Sequence, residues 1–303
     1  LAEKVSPPNA SSDRIPLTGA LVLVVLCLVW GANLVSIKFS NQGVPPLMAA
    51  TIRSVVAALL LWIYARAIGE SVFLSGRLVK HGVAIGLLFG GEFLVLYWGL
   101  SFTDASRAVI FLYTHPIWVA LMAHFILHDD RLNVSKSLGV FLAFAGLTSV
   151  FGSRSATLGP LHWVGDAMEL AAGLMWAITT IYVKKFIWNQ PVTHYQTLFA
   201  QLIFSIPVLA AGVVLFEWGA PVSPTPVVVG ALFYQAVIVA FISYLAWFWM
   251  LHRFQATRLA TFTFLTPLCG VVLSGLILGE TLTLLLWLGF ILAAGGIYLV
   301  NRS

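Results

Sequence analysis

The stretches WGLSFTDASR (residues 98–107) and WMLHRFQATR (residues 249–258) carry Trp, Leu, Ala and Arg at the same four places. The shift of 151 residues that superposes them also lays Pro116 on Pro267 and Asp129 on Glu280. Upstream, a shift of 146 pairs Trp30 with Trp176, Lys38 with Lys184, Pro45 with Pro191 and Thr51 with Thr197. Downstream, a shift of 150 pairs Gly139 with Gly289 and Gly146 with Gly296. Apolar runs align with one another easily, but several of these matches fall in the charged and turn positions between runs. The chain is therefore two related halves.

Both halves are built for lipid. Hydrophobic residues make up 60% of the sequence and charged ones 9%, against roughly 25% charged in an average soluble domain. Apolar runs fall at about 16–38, 45–67, 81–100, 105–127, 135–151, 162–185, 193–215, 227–252, 257–278 and 284–300, and a helix needs about 20 residues to cross the hydrocarbon core. No period-2 alternation of barrel strands is present, so the runs are predicted to be helices that satisfy their own backbone. The expected class is an all-α polytopic membrane protein with ten transmembrane helices. Residues 1–15 form a polar tail, 16–151 the first five-helix repeat and 162–300 the second. The tail lacks the apolar core and cleavage site of a secretory signal, so the first span is expected to direct insertion. Cys27 and Cys269 lie inside apolar spans, and no disulfide is expected.

Lys and Arg collect on the cytoplasmic side of membrane proteins. With a cytoplasmic amino terminus, that side holds Lys4, Arg14, Arg66, Arg77, Lys80, Arg131, Lys136, Lys184, Lys185, Arg253, Arg258 and Arg302. The other side holds Lys38, Arg107 and Arg154, and Arg53 lies within a span. Both termini are then cytoplasmic, and the net charge of +5 reflects topology rather than a nucleic-acid partner. Because each repeat has an odd number of helices, the second enters the membrane inverted, which places Arg107 outside and Arg258 inside. Inverted repeats meeting at the midplane are an architecture of transporters that alternate access.

The pattern Trp30-Gly31-Ala32-Asn33, then Pro46 and Arg53, then Tyr97-Trp98-Gly99-Leu100 before Ala105-Ser106, resembles the EamA module of the drug/metabolite transporter superfamily. Pro116, Thr266-Pro267 and Leu278-Gly279-Glu280-Thr281-Leu282 continue the likeness, which covers residues 16 to 300. The resemblance implies two inverted five-helix repeats around a central cavity and export of amino acids or other metabolites. Within the superfamily the chain is most similar to YddG-type aromatic amino-acid exporters, which implies a bacterial-type inner (plasma) membrane. The first half departs from the second in having His128-Asp129-Asp130 where the second has Gly279-Glu280, so no shared role is assigned to those acids.

A charge inside a bilayer is costly and marks a cavity or a partner. Arg53, Glu92 and Glu169 each lie seven or eight residues from an outer helix end, about 10–12 Å deep at 1.5 Å per residue. Asn33, His115, Tyr234 and Gln235 fall in the same outer half; Tyr244 lies further in. These residues are expected to line a cavity that opens outward above an apolar inner constriction of Leu96, Trp247 and Phe248. An amino acid would present its carboxylate to Arg53 and Asn33 and its ammonium to Glu92 or Glu169. Alternatively, Arg53 and Glu92 pair with each other and tie two helices together. His115 is either a proton relay or a partner for the carbonyl of residue 112, which Pro116 leaves without its helix bond. Pro116 and Pro267 predict matched kinks, read either as hinges or as packing. The small residues Gly139, Ala143 and Gly146, with Gly289, Ala293 and Gly296, allow close helix approach, either between these two helices or at a homodimer face.

Phosphate loops, zinc-binding helices, nucleophile elbows and metal-spaced cysteines are missing from the sequence, so no cofactor or metal is expected. The expected function is a secondary transporter for a small-molecule substrate, not an enzyme, with the lipid bilayer as its other partner. Nucleotide-sugar or sugar-phosphate carriage, and an intramembrane enzyme or lipid-handling protein, are the competing readings.

Overall fold

Hydrocarbon offers a peptide group no hydrogen bond, so each apolar run closes its own. The computed structural model describes residues 14–103, 105–152, 160–278 and 283–303; the tail to residue 13, Arg154 and Glu280 lie outside the described residues. Among the described residues ten helices are long and apolar enough to span a membrane. They are α1 (Leu17–Ser40), α2 (Pro46–Ala67), α3 (Gly76–Gly99), α4 (Ala105–Ile126), α5 (Val134–Phe151), α6 (His162–Ile187), α7 (His194–Phe216), α8 (Pro226–Leu251), α9 (Ala256–Ile277) and α10 (Leu284–Arg302). The protein is a multi-pass membrane protein of two inverted five-helix repeats. Ile15, just before α1, donates its N–H to Asn301 Oδ1 at 2.9 Å and accepts from Asn301 Nδ2 at 3.2 Å. The two chain ends thus share one face, called here the termini face, opposite the far face.

Both predicted kinks are present. Regular winding stops at Leu112 in α4 and resumes at His115; in α9 it stops at Phe262 and resumes at Leu265. The proline ring removes the N–H that would bond the carbonyl four residues back, which is Leu112 for Pro116 and Thr263 for Pro267. His115 does not take up the freed carbonyl, because both its ring nitrogens lack partners. Instead the Leu112 carbonyl rests against Gly173 of α6, where a Cβ would collide with it. Two segments wind more widely, as π-helix: Val183–Ile187 at the end of α6 and Tyr234–Ser243 in the middle of α8. Neither contains a proline or glycine that would announce it.

The glycine stripes of α5 and α10 face each other. A Cβ on Gly139 would strike the Gly296 carbonyl, and one on Gly146 the Gly289 carbonyl; the reverse contacts hold as well. Of the two uses open to these small residues, close packing between α5 and α10 is the one realised within the chain. Repeats are also joined by caps at helix starts, where unbonded N–H groups favour an anion. The Glu217 carboxylate, after α7, accepts from the N–H groups of Leu47 and Met48 at 2.7 and 2.8 Å. Asp130 accepts from Thr257 N–H at the start of α9 at 2.8 Å and from buried Lys136 Nζ at 2.9 Å.

The two repeats are not in equivalent surroundings. Every residue from Phe254 to Val271, which includes most of α9, is buried, whereas the matching start of α4 is largely half-buried or exposed.

Gly296→Val should lower the melting temperature in detergent by an amount equivalent to about 1–3 kcal/mol, the usual overpacking cost. Neighbouring Gly295→Val, whose Cβ would meet Leu142 at 3.4 Å, should be nearly silent. Asp130→Ala strands a buried ammonium and should cost about 3–5 kcal/mol in the same assay.

Candidate functional site

Helices α1, α3, α4, α6, α8 and α9 enclose a cavity of about 470 Å³. Aromatic rings make much of its wall. Trp30 on α1 meets Trp247 of α8 edge-on, centroids 5.3 Å apart, and Phe89 of α3 meets Tyr244 at 6.0 Å and 89°. The Trp30 indole is fixed by donating to Ser243 Oγ at 2.8 Å, and Ser243 donates to the Val239 carbonyl at 2.6 Å. Edge-to-face packing and an anchored N–H hold these rings still, so the wall is rigid before any ligand arrives.

The cavity opens on one side. Its mouth is lined by exposed Lys38, Asn41, Leu100 and Ala105 at the far-face ends of α1, α3 and α4. Its floor is Val183, Trp247, Phe248 and Leu251, all buried. Beneath the floor, the Asp130 and Lys136 pair is joined by Gln255, whose Oε1 accepts from Lys136 Nζ at 3.0 Å and whose Nε2 donates to the Asp129 carbonyl. That network binds the first repeat to the start of α9 on the termini face.

Of the residues singled out from the sequence, Asn33, Glu92, Glu169 and Tyr244 line the cavity, as do Trp247, Phe248, Pro267 and Leu96. Leu96 lies one turn beyond Glu92 toward the far-face end of α3, so it belongs to the mouth and not to an inner constriction. Arg53 stands behind the wall: it is 1% exposed, its guanidinium carbon sits 4.3 Å from the centre of the Phe93 ring, and none of its side-chain nitrogens has a hydrogen-bond partner. Its charge still acts on Glu92. His115 is also outside the lining, stacked on Trp176 at 3.9 Å, and Pro116 is outside it too. Tyr234 and Gln235 tie α8 to α1, through Tyr234 O–H to the Val29 carbonyl at 3.0 Å and Gln235 Nε2 to Ser40 Oγ at 2.9 Å.

Sequence reasoning passed over Thr179 and Thr180 of α6, which line the cavity while donating to the carbonyls of Met175 and Trp176. It also gave Trp30 and Trp176 no role in the site, although the repeat pairs them and both line the wall.

The sequence model of the EamA-like transporter family matches this chain twice, over residues 17–152 and 163–302, once for each repeat. The chain belongs to the EamA-like transporter family. Similar proteins include the uncharacterized transporter YoaV of Bacillus subtilis (strain 168), 24% identical over 92% of this chain and 95% of the relative. Another is a probable amino-acid metabolite efflux pump of Escherichia coli (strain K12), 28% identical over 93% of each chain. The counterpart in Salmonella typhimurium (strain LT2), described in the same words, is 27% identical over 93% of each. A solved crystal structure with 18% identity superposes with a TM-score of 0.79 over 93% of this chain and 96% of its own, which shows a shared fold. The cavity of this EamA-like chain is thus enclosed by helices from both copies of the family module.

Variants with one added cysteine, Asn33→Cys and Ser106→Cys, should react with a membrane-impermeant maleimide added on the far face, and much faster than Leu251→Cys, which is buried in this state. The native thiols are buried and should give little background. Labelling of Leu251→Cys from the termini face would show that the floor is open.

Proposed function

We propose that this chain is a secondary transporter that exports amino acids, aromatic and other apolar ones, by alternating access. In this reading both termini are cytoplasmic, the far face is external, and the membrane is a bacterial-type inner membrane. The observation that carries it is the unequal burial of one motif in its two copies. Arg107, beside the lining residues Ser106 and Ala108, has a side chain 33% exposed, while Arg258 at the matched position of α9 is 3% exposed. In an inverted pair the two matched segments stand at opposite faces, one open and one closed. Exchange of their two environments would close the mouth and open the floor, which is the step that transport requires.

The chemistry of the lining favours an amino acid. A mostly apolar cavity with a few convergent polar groups suits a small organic ligand, and the aromatic wall suits an aromatic or aliphatic side chain. Glu92 and Glu169 offer negative charge to an ammonium group. Asn33, whose buried Oδ1 has no partner, adds a further site for that group or, through its amide N–H, for the carboxylate. A phosphate-bearing ligand would need converging Lys or Arg, and among the described lining residues the cationic side chain is Lys38 at the mouth. Relatives described as probable amino-acid metabolite efflux pumps agree with this choice. An intramembrane enzyme would call for a pair of buried acids or histidines at one depth, whereas Glu92 lines the cavity and His115 stands outside the lining, stacked on Trp176.

Proteoliposomes loaded with labelled L-phenylalanine test the reading. Efflux should exceed that of protein-free vesicles, and Glu92→Gln should lower it by about ten- to a hundredfold, the worth of one charged hydrogen bond. No flux of any amino acid in a labelled panel, alongside flux of a nucleotide sugar, would replace this substrate class with the other.

A further inference from the structure

An ionised carboxylate with neither a hydrogen bond nor a neighbouring cation is very costly to bury. Glu169 is 0% exposed, neither of its carboxyl oxygens has a partner, and it forms part of the cavity wall. Gly165 and Gly173 lie one turn to either side on the same face of α6. A Cβ on Gly165 would strike the Gly99 carbonyl and Thr103, and one on Gly173 the Leu112 carbonyl. This face of α6 is therefore pressed onto α3 and α4, and Glu169 stands where the second repeat meets the first.

The charged groups on the packed helices leave Glu169 without a counterion. On α4, Arg107 engages Asp166, with Nε 3.2 Å from Oδ1, and His115 stacks on Trp176. On α3, Glu92 adds a like charge and is the carboxylate that Arg53 acts on; Tyr97 is neutral. On α6 itself, Asp166 is a further negative neighbour, and His162 lies two turns away at the helix start. Lys184, Lys185 and His81, which meets Tyr182, are about four turns off toward the termini face. Among the described residues the one cation of the cavity lining is Lys38 at the mouth, and none bonds Glu169, which leaves the carboxyl open to a cation from outside the protein.

We propose that Glu169 is a cation site with two alternative occupants, a proton when the cavity is empty and the ammonium group of an amino acid when it is loaded. The inference rests on reading the cavity as an amino-acid site. An ammonium arriving from the termini face displaces the carboxyl proton to water on that side; when the amino acid leaves at the far face, a proton returns from there. One proton is exchanged for each substrate molecule, so an inward proton gradient drives substrate outward. Glu92, on which the Arg53 charge acts, orients the ligand.

Purified protein in lightly buffered detergent solution, titrated with L-phenylalanine near neutral pH, tests this by calorimetry and a pH-indicating dye together. The ligand's own groups do not titrate there. Wild type should release close to one proton per molecule bound, and its affinity should fall up to tenfold per pH unit on acidification. Glu169→Gln should bind without release and without that pH dependence, whereas Glu92→Gln should still release the proton. If Glu169→Gln binds too weakly to measure, Glu169→Asp must bind with release, and its binding without release overturns the proposal. So does wild-type binding with no proton released, or release lost in Glu92→Gln and kept in Glu169→Gln. Failure of the wild type to bind any amino acid of a panel overturns the cavity reading and this site with it, an outcome distinct from binding without release.

Discussion

A peptide N–H or carbonyl inside hydrocarbon must find its partner within the protein, and the architecture of this transporter is a set of answers to that demand. Unbroken helices are the default answer. Where the ladder is interrupted in α9, the Thr263 carbonyl accepts from the Thr266 N–H at 3.0 Å, and the Leu112 carbonyl released in α4 lies against the backbone of Gly173. The first turns of α2 and α9 are capped by Glu217 and Asp130, carboxylates from distant parts of the sequence. A helix start, which needs acceptors, thereby becomes a point where elements far apart in the chain are pinned together.

Duplication supplies the second organising fact. Each repeat contributes helices to one cavity, and because the copies are inverted, the ends of matched helices lie on opposite faces. The α5 and α10 pair shows this symmetry best, with each glycine of one helix against a glycine carbonyl of the other. The cavity breaks the symmetry. Glu92 corresponds to Ser243 under the repeat, and Glu169 to Leu23. The scaffold is thus nearly two-fold while the acidic groups belong to one side of it.

Much of this could be read in the residues themselves. The ten spans, their pairing into halves and the kinks ahead of Pro116 and Pro267 follow from run length, repeat matches and proline chemistry. The rise per residue groups Asn33, Glu92 and Glu169 at one level together with His115, Tyr234 and Gln235, and of these the first three line the cavity. What depth cannot give is direction around the helix. In soluble proteins the apolar stripe supplies it, but lipid is as apolar as a protein core, so the helices here carry little such stripe. Arg53 faces the Phe93 ring; Tyr234 and Gln235 likewise face α1 and not the cavity. Leu96 was misplaced for a simpler reason, the sense in which α3 runs. His115 shows a third gap, because a histidine beside a proline says nothing of the Trp176 ring waiting to stack on it.

The wide winding of α8 determines which side chains that helix offers beyond it. Each residue in π geometry advances through a smaller angle than in α geometry, and over Tyr234–Ser243 the deficit accumulates to roughly half a revolution. Tyr244, Trp247 and Phe248 look inward in that phase. Rewound as a regular α-helix from Phe233 onward, the same sequence would turn these three rings toward the acyl chains and bring Leu245, Ala246 and Trp249 to the floor of the cavity.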